Sequence, residues 1–104
     1  MEGRKKAFIS QPMQGKTVDA IRAERKRIED TLVLNGYEPV DSVFESFPNA
    51  DGRYKSVPLA YLAKSLDLLA QCDAAAFAKG WNGARGCKIE HECAKLYGID
   101  ILME

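Results

Sequence analysis

Residues 74–94 decide the fold of this chain, and they read AAAFAKGWNGARGCKIEHECA. The first five residues form a short apolar run of strand length, rich in small side chains. Closely spaced glycines follow, and they allow a sharp turn and the close approach of a ligand. Ile89, Cys93 and Leu96 then recur at helical spacing, which predicts a helix with one apolar face. Glu90 lies in its early turns, where a carboxylate is either a catalytic group or a complement to the helix dipole.

Length and charge exclude several classes of protein. The chain has 104 residues, enough for one domain with a single core. Fifteen basic and fifteen acidic residues cancel, which argues against a surface for nucleic acid or for an anionic membrane. No apolar run could span a bilayer, and the first residues lack the hydrophobic segment of a signal peptide. We therefore expect one domain over residues 1–104, located in the cytoplasm, with neither nucleic acid nor membrane as a partner.

Strands and helices alternate along the chain. Short apolar runs predict strands at residues 6–10, 37–41, 73–78 and 99–103. Apolar periodicity predicts helices at residues 18–35, 57–69 and 87–97. The alternation predicts an α/β fold: a three-layer, flavodoxin-like parallel sheet of about four strands in the order 2-1-3-4, with helices on both faces. Ligands in such sheets bind at the carboxyl ends of the strands, at the switch point, which here lies between the first and third strands.

The first helix has a predicted cap and a predicted buried side. Thr17 is a good N-cap residue, and Gly36 is a typical helix stop. The charged residues from Arg22 to Asp30, Arg25 among them, are expected to face solvent. The expected buried residues are Ile21, Ile28 and Leu32.

The second strand and the second helix each contain an informative proline. Pro39 cannot donate to a strand ladder, which favours an edge position for the second strand. Pro58 is expected at the first helical position. Tyr61 and Ser65 lie one turn apart on the flank of the second helix. Its expected core stripe consists of Leu59, Leu62, Leu66 and Leu69.

A long loop joins these two elements. Residues 42–56 have no predicted secondary structure, and segments of this length in small domains are commonly functional. Phe44, Phe47 and Tyr54 make the loop a candidate lid. A role of this loop in binding another protein is an alternative.

Three predicted loops converge at the switch point, after the first, second and third strands. Asp73 falls at the opposite end of its strand, and we therefore expect no catalytic role for it. The side chains expected around one cleft are Gln11, Met13, Trp81, Arg85 and Glu90.

Three stretches carry a resemblance to a known family: FISQPMQGK at 8–16, LAKSLDLL at 62–69 and GCKIEHECA at 86–94. With them the chain resembles the nucleoside 2-deoxyribosyltransferase-like superfamily, in particular its branch of small bacterial and phage proteins of unknown function. The resemblance implies cleavage or exchange of the N-glycosidic bond of a (deoxy)nucleoside or nucleotide, without a cofactor. It matches Glu90 to the nucleophile of the superfamily, and it implies a homo-oligomer, a dimer or a tetramer.

The chain departs from the pattern of this superfamily at two acids. The aspartate that assists departure of the base is matched by Ser65, eight residues before Asp73. Asp67 is two positions away, about half a helix circumference. A second acid, in the loop before the nucleophile, is matched by Ala84. The expected nucleophile is therefore present without the expected acids, and a non-catalytic nucleotide-binding module is the alternative function.

In the enzymatic interpretation, Glu90 attacks the anomeric carbon of a pentose, and a base or water then releases the sugar. The proton for the departing base would come from Tyr61, from His91 or from solvent. The candidate catalytic residues are Glu90, Tyr61 and Ser65.

Further residues are expected to contact the small-molecule substrate. Trp81 either stacks on a base or packs on a helix. Lys16 and Arg85 either bind a phosphate near a helix N-terminus or are ordinary surface charges. The expected substrate-binding residues are Ser10, Gln11, Pro12, Met13, Gly15, Lys16, Gly80, Trp81, Arg85, Gly86 and Cys87.

A metal site is not expected. Cys87 and His91 share a helix face, but Cys93 points elsewhere and its spacing is that of a core residue. The odd number of cysteines, at unrelated spacings, is typical of reduced thiols. Cys87 at a helix N-terminus is a weak candidate nucleophile, because neighbouring His91 is its sole candidate base.

Overall fold

The computed structural model describes residues 4–40 and 52–103. Strands and helices alternate in it as the sequence predicts. A single 3₁₀ turn, Trp81–Gly83, precedes the last helix. The elements are β1 Lys5–Ser10, α1 Val18–Leu34, β2 Tyr37–Val40, α2 Val57–Leu69, β3 Ala74–Phe77, α3 Arg85–Leu96 and β4 Asp100–Ile101.

The four strands form one parallel sheet in the order β2-β1-β3-β4. The predicted strand order is therefore confirmed, and the architecture is flavodoxin-like. In the register, Phe8 of β1 lies opposite Val40 of β2 and Ala75 of β3. Since β1 and β3 are central, their apolar residues are buried on both faces of the sheet.

The alternation of side chains along each strand divides the core in two. One buried cluster joins Ala7 and Ile9 of β1 to Ile28 and Leu32 of α1. The other cluster lies on the opposite face, against α2 and α3, and it consists of Phe8, Leu69, Cys72, Ala75, Phe77 and Ala94. The molecule thus has the three layers that the sequence predicts, with α1 on one face and α2 and α3 on the other.

Three of the four local signals at the ends of the elements are confirmed, and the position of Pro58 differs by one residue. The Thr17 hydroxyl accepts a hydrogen bond from the Ala20 amide at 3.1 Å and caps α1. Gly36 follows α1 with φ of 86°, a left-handed conformation that ends a helix readily. Pro39 lies in β2, which is an edge strand. Pro58 is the second residue of α2 rather than the first, because the helix begins at Val57 behind its N-cap.

Arg25 corrects the prediction that the charged face of α1 is wholly exposed. Its side chain is buried, and Nη2 donates to the Val40 carbonyl at 3.2 Å. Nη1 donates to Oε1 of Gln11 at 3.4 Å. The carboxyl ends of β1 and β2 present these acceptors beneath α1, and a long cation that reaches them can be buried.

The predicted apolar faces of α2 and α3 are also corrected. Leu59 is largely exposed, whereas Leu69 of the same stripe is buried. In α3 the buried residues are Cys87, Glu90 and Ala94, while Ile89 and Leu96 are exposed. The helix faces a strand of alanines, and small residues at the contact let the two backbones approach closely. The spacing of large apolar residues therefore predicted the wrong buried face for α3.

Some boundaries differ from the predicted ones. The third strand begins at Ala74, since the Asp73 carboxylate instead accepts a hydrogen bond from the Lys6 amide at 2.9 Å. The last strand is shorter than predicted, although the Leu102 amide still donates to Ala75 across the sheet. Asp41, Phe44 and Phe47 lie outside the described residues, so the predicted lid is described only from residue 52 onward. No described helix combines the length and the apolar character that crossing a membrane requires.

Two leucines near the end of α1 give a matched test of this core. Leu32 is 1% exposed and Leu34 is 87% exposed. Leu32→Ala should lower the free energy of unfolding by about 2–5 kcal/mol, because it leaves a cavity in the core beneath α1. Leu34→Ala, the control, should change it by less than about 0.5 kcal/mol. Urea unfolding followed by circular dichroism measures both, and similar losses in the two variants would contradict the assigned face of α1.

Candidate functional site

The centre of the site is a hydrogen bond between a strand and a helix. Ser10 ends β1 on the face that packs against α3, because side chains alternate along the strand. Its hydroxyl donates to Oε1 of Glu90 at 2.6 Å. Both side chains are buried, with Glu90 only 7% exposed. The short distance is that of a charge-assisted hydrogen bond, which fixes one carboxylate oxygen.

The second carboxylate oxygen of Glu90, Oε2, differs from Oε1 in its hydrogen bonding. Among the described residues, none donates a hydrogen bond to Oε2, and this atom is not sealed from solvent. Since Glu90 lines the adjoining cleft, the oxygen that Ser10 does not hold is the one available to a ligand there. Burial is the main influence on the carboxyl group and raises the pKa of Glu90 to about 6, from 4.5 for an ordinary glutamate. The hydrogen bond from Ser10 opposes this shift, because it stabilises the ionised form.

The cleft beside Glu90 has a volume of about 550 Å³. Its walls come from the loop after β1, from α2, and from the turn before α3 together with the first turns of α3. Glu90 is the one carboxylate among the described residues that line it. The lining consists of Gln11, Pro12, Met13, Gln14, Pro58, Tyr61, Leu62, Ser65, Gly83, Ala84, Arg85, Gly86, Cys87 and Glu90.

This cleft brings together most of the residues that the sequence predicts for the site. All three catalytic candidates, Glu90, Tyr61 and Ser65, line it. Ser10 reaches it through its hydrogen bond to Glu90. The predicted substrate-binding residues that line it are Gln11, Pro12, Met13, Arg85, Gly86 and Cys87.

Four predicted substrate-binding residues lie elsewhere. Gly80 and Trp81 line a separate cleft beside α1, while Gly15 and Lys16 line neither of these two clefts. Lys16 places its ammonium group 3.5 Å from Oε1 of Glu24, an exposed ion pair. Its charge is thus directed toward α1.

Trp81 packs on a helix, as one of its two interpretations holds. Its ring stacks on His91 with centroids 3.9 Å apart and planes 13° apart. Phe77 packs against both rings, edge-on to His91 at 4.8 Å. Neither Trp81 nor His91 lines the Glu90 cleft, so His91 is not placed to protonate a ligand there.

The side-chain amide of Gln11 is already engaged within the protein. Its nitrogen donates to the Ile21 carbonyl at 2.8 Å and to Oε1 of Glu24 at 2.9 Å. Its oxygen accepts from Arg25. Gln11 therefore anchors the loop after β1 to α1, and this anchoring holds one wall of the cleft in place.

Cys87 lies on the floor of the cleft as a buried thiol. Burial, the largest influence, raises the pKa of Cys87, and the nearby Glu90 charge acts in the same direction. A contact with the Ser10 hydroxyl acts in the opposite direction. The net increase favours the protonated thiol and argues against a nucleophilic role. In the described part of the chain, no three His, Cys, Asp or Glu side chains are grouped closely enough to hold a metal ion.

Sequence reasoning missed part of the site. Gln14, Leu62, Gly83 and Ala84 line the cleft, and so does Pro58. Pro58 lies three residues before Tyr61, so the helical repeat was a signal that could have found it. Arg25 contacts Gln11 of the cleft wall. Its burial could not be predicted, because it lies in a run of charged residues that are otherwise typical of a solvent-exposed face.

Fold and site together define a class: a flavodoxin-like α/β domain with a buried carboxylate at the switch point of its sheet. A family model, described as Domain of unknown function (DUF4406), matches residues 5–103. The chain therefore belongs to the DUF4406 family. No curated protein matches it in a sequence search.

The buried carboxylate should make stability depend on pH. Below pH 4.5 Glu90 is neutral in both folded and unfolded states, and above about pH 6 the folded state must hold it ionised. Glu90→Gln removes that penalty, so its gain in stability should grow between these values. The gain at pH 8 should exceed the gain at pH 4 by about 2 kcal/mol, the equivalent of the pKa shift. Urea unfolding at pH 4 and pH 8 measures it; exposed Glu92→Gln is the control, and an equal gain at both pH values would contradict the assignment.

Removing the Ser10 hydroxyl should lower the stability of the fold, whereas Glu90→Gln should raise it. Ser10→Ala leaves the buried carboxylate without its donor, and hydrogen bonds to charged groups contribute about 1.5–3 kcal/mol. The loss of stability should therefore be larger at pH 8 than at pH 4, where the acceptor is neutral. It should also raise the pKa of Glu90, which ¹³C NMR of the carboxyl group measures directly. A pKa that falls in this variant would show that the hydrogen bond does not stabilise the ionised form.

Proposed function

We propose that this protein cleaves or exchanges the N-glycosidic bond of a (deoxy)nucleoside or nucleotide, with Glu90 as the nucleophile. The observation that carries the proposal is the state of this carboxylate. One oxygen is held by Ser10, the other opens into a cleft, and the whole group is nearly removed from water. A poorly hydrated carboxylate with one restrained and one open oxygen suits attack on a carbon that develops positive charge.

The chemistry follows the two-step course of retaining glycoside cleavage. Oε2 of Glu90 forms a bond to the anomeric carbon of the pentose while the bond from that carbon to the base nitrogen breaks. The electron pair of the broken bond leaves with the base, which takes up a proton. A second base, or water, then attacks the same carbon, the bond to Oε2 breaks and releases the carboxylate, and the proton of the attacking group passes to solvent. Because the pKa of Glu90 is about 6, the nucleophile is ionised at neutral pH.

Departure of the base needs a proton, and the cleft offers few donors. Ser65 and Ala84 stand where the resemblance to deoxyribosyltransferases implies acids. Tyr61 carries the remaining acidic O–H group among the described lining residues. A general acid contributes about 10²–10⁴ in rate, so a substrate with a good leaving group is favoured. We assign delivery of this proton to Tyr61 or to water. We also infer that the substrate carries a deoxy sugar, because a deoxy sugar forms the cationic transition state more readily.

The resemblance to the nucleoside 2-deoxyribosyltransferase-like superfamily supports this proposal. Its glycine-x-x-x-glutamate pattern corresponds to Gly86 and Glu90, which both line the cleft in the first turns of α3. The helix N-terminus also has no side-chain cap among the described residues, so its amides are open to an anionic group such as a phosphate. Arg85 lies beside them at the cleft.

A second function, a non-catalytic nucleotide-binding module, is favoured by a different observation. Glu90 is the one acid among the described lining residues, so no carboxyl group is placed to act as general acid. A site with a nucleophile and no strong acid could bind a nucleotide without turning it over.

Base release and base exchange separate these functions. Wild-type protein is incubated with purine and pyrimidine (deoxy)nucleosides and their 5′-monophosphates, with and without a second free base, and the bases are resolved by liquid chromatography. We expect release or exchange in the wild type and a loss of at least about a thousandfold in Glu90→Gln, the scale on which nucleophile removal acts. Glu92→Gln, exposed on the same helix, should retain the wild-type rate.

The pH profile adds a second criterion. The rate should rise as pH passes through about 6, the pKa of Glu90, and then reach a plateau, because only the ionised carboxylate attacks. Turnover that persists in Glu90→Gln would contradict the proposal. Nucleotides that raise the melting temperature without any turnover would support the binding module instead. If neither effect occurs, both functions are excluded for the compounds tested.

A further inference from the structure

A second cleft continues outward from the cleft of Glu90. We call it the outer cleft; it has a volume of about 420 Å³ and lies between the first turns of α2 and those of α3. Two residues of each helix line both clefts, Pro58 and Leu62 of α2 and Arg85 and Gly86 of α3. The two clefts are therefore continuous, and a ligand in the first can extend into the second.

The outer cleft is lined mainly by apolar side chains. The described residues that line it and not the Glu90 cleft are Ser56, Leu59 and Ile89. Leu59 is 62% exposed and Ile89 is 38% exposed. Leu59 and Leu62 are one turn apart on α2, and Ile89 lies one turn after Gly86 on α3. Large apolar side chains from two helices thus border the same space.

The outer cleft offers few polar groups to a ligand. Arg85 is the one charged residue among the described residues that line it, and it belongs to both clefts. The Ser56 hydroxyl accepts a hydrogen bond from the Leu59 amide at 3.3 Å and caps α2. An anionic group would therefore bind at the boundary between the clefts, where Arg85 and the first amides of α3 lie. The remainder of the outer cleft suits an apolar group.

The proposed chemistry has a use for an apolar group at a distance from the reacting carbon. Among the described residues that line its cleft, Glu90 is the one acid, so no second carboxyl group protonates the departing base. Binding energy from a part of the substrate that does not react can instead orient the reacting carbon and exclude water from it. Burial of an apolar substituent supplies such energy.

Under the proposed function, the base is the part of a nucleoside that lies nearest to the outer cleft. Delivery of a proton by Tyr61 requires the departing base to lie against α2. Pro58 and Leu62, on either side of Tyr61 in that helix, line both clefts. A substituent on the base therefore has a path over these two residues to Leu59 and Ile89.

We infer that the outer cleft binds an apolar substituent on the base, so that the preferred ligand is a nucleobase derivative with an alkyl or benzyl group. The identity of the ligand as a nucleobase derivative rests on the proposed function. The apolar subsite itself rests on Leu59, Leu62 and Ile89, and on the continuity of the two clefts.

Binding of substituted free bases tests the subsite without any turnover. The probes are adenine and uracil, each unsubstituted and with a methyl, hexyl or benzyl group, on the exocyclic amine of adenine or on carbon 5 of uracil. Isothermal titration calorimetry measures each dissociation constant. We expect the hexyl or benzyl group to tighten binding at least about tenfold in one of the two series, because it buries several methylene or ring carbons. Equal affinity for substituted and unsubstituted bases in both series overturns the inference.

Two substitutions locate the affinity gain in the outer cleft. Leu59→Gln and Ile89→Gln keep a side chain of similar size and remove its apolar character, and each should reduce the gain at least about fivefold. Leu96→Gln is the matched control, because Leu96 is 69% exposed on α3 and lines neither cleft. The gain should persist in the control. A gain that survives both outer-cleft substitutions, or that falls as far in Leu96→Gln, contradicts the inference.

Turnover of the corresponding deoxynucleosides separates this inference from the proposed function. Release of bases with no preference for substituted ones, in binding or in kcat/KM, supports the proposed function and overturns the inference. Preferential binding of substituted bases that depends on Leu59 and Ile89, with no base released from any nucleoside, supports the subsite and contradicts cleavage. If no base binds, substituted or not, the inference is overturned as well.

Discussion

The close packing of α3 on β3 determines where the site residues lie. Ala75 of the strand and Ala94 of the helix are fully buried in the same cluster. Because neither side chain extends beyond Cβ, the helix can lie near the sheet. Glu90, one turn earlier on the same face, then reaches across β3 to Ser10 at the end of β1. A larger residue at either alanine would move the helix outward and lengthen the hydrogen bond on which the site depends.

This packing also explains what the sequence could and could not predict of the fold. The strand order, the three layers, the Thr17 cap and the edge position of Pro39 follow from local chemistry, and all are confirmed. The buried face of α3 could not be read from hydrophobicity, because close contact with an alanine strand selects small residues. Ile89 and Leu96 gave the stronger apolar signal for the very reason that they are large.

The site was predictable to the extent that the order of the elements determines it. Convergence of loops at the switch point brings Glu90, Tyr61 and Ser65 to one cleft. The direction of an individual side chain also depends on strand alternation and on hydrogen-bond or ring partners that the sequence does not reveal. Gln11 follows Ser10 and so points to the other face of the sheet, where Arg25 and Glu24 occupy its amide. The sequence left two interpretations of Trp81, stacking on a ligand or packing on a helix. In the structure its ring stacks on His91 of α3.

Glu90, the one acid among the described residues that line the cleft, connects the stability of the fold with the proposed chemistry. An ionised Glu90 destabilises the fold at neutral pH, since burial raises its pKa to about 6 and a neutral side chain would avoid that penalty. A carboxylate used only to complement the helix dipole would lie at the helix surface, where water remains available to it. Here the side chain instead faces the sheet, with one oxygen restrained and the other open to the cleft. A desolvation penalty of this kind is typical of functional positions, where some stability is given up for reactivity. Under the proposed function, this ionisation favours a nucleophile over a proton donor, because a carboxylate that is ionised at neutral pH can attack carbon but has no proton to give.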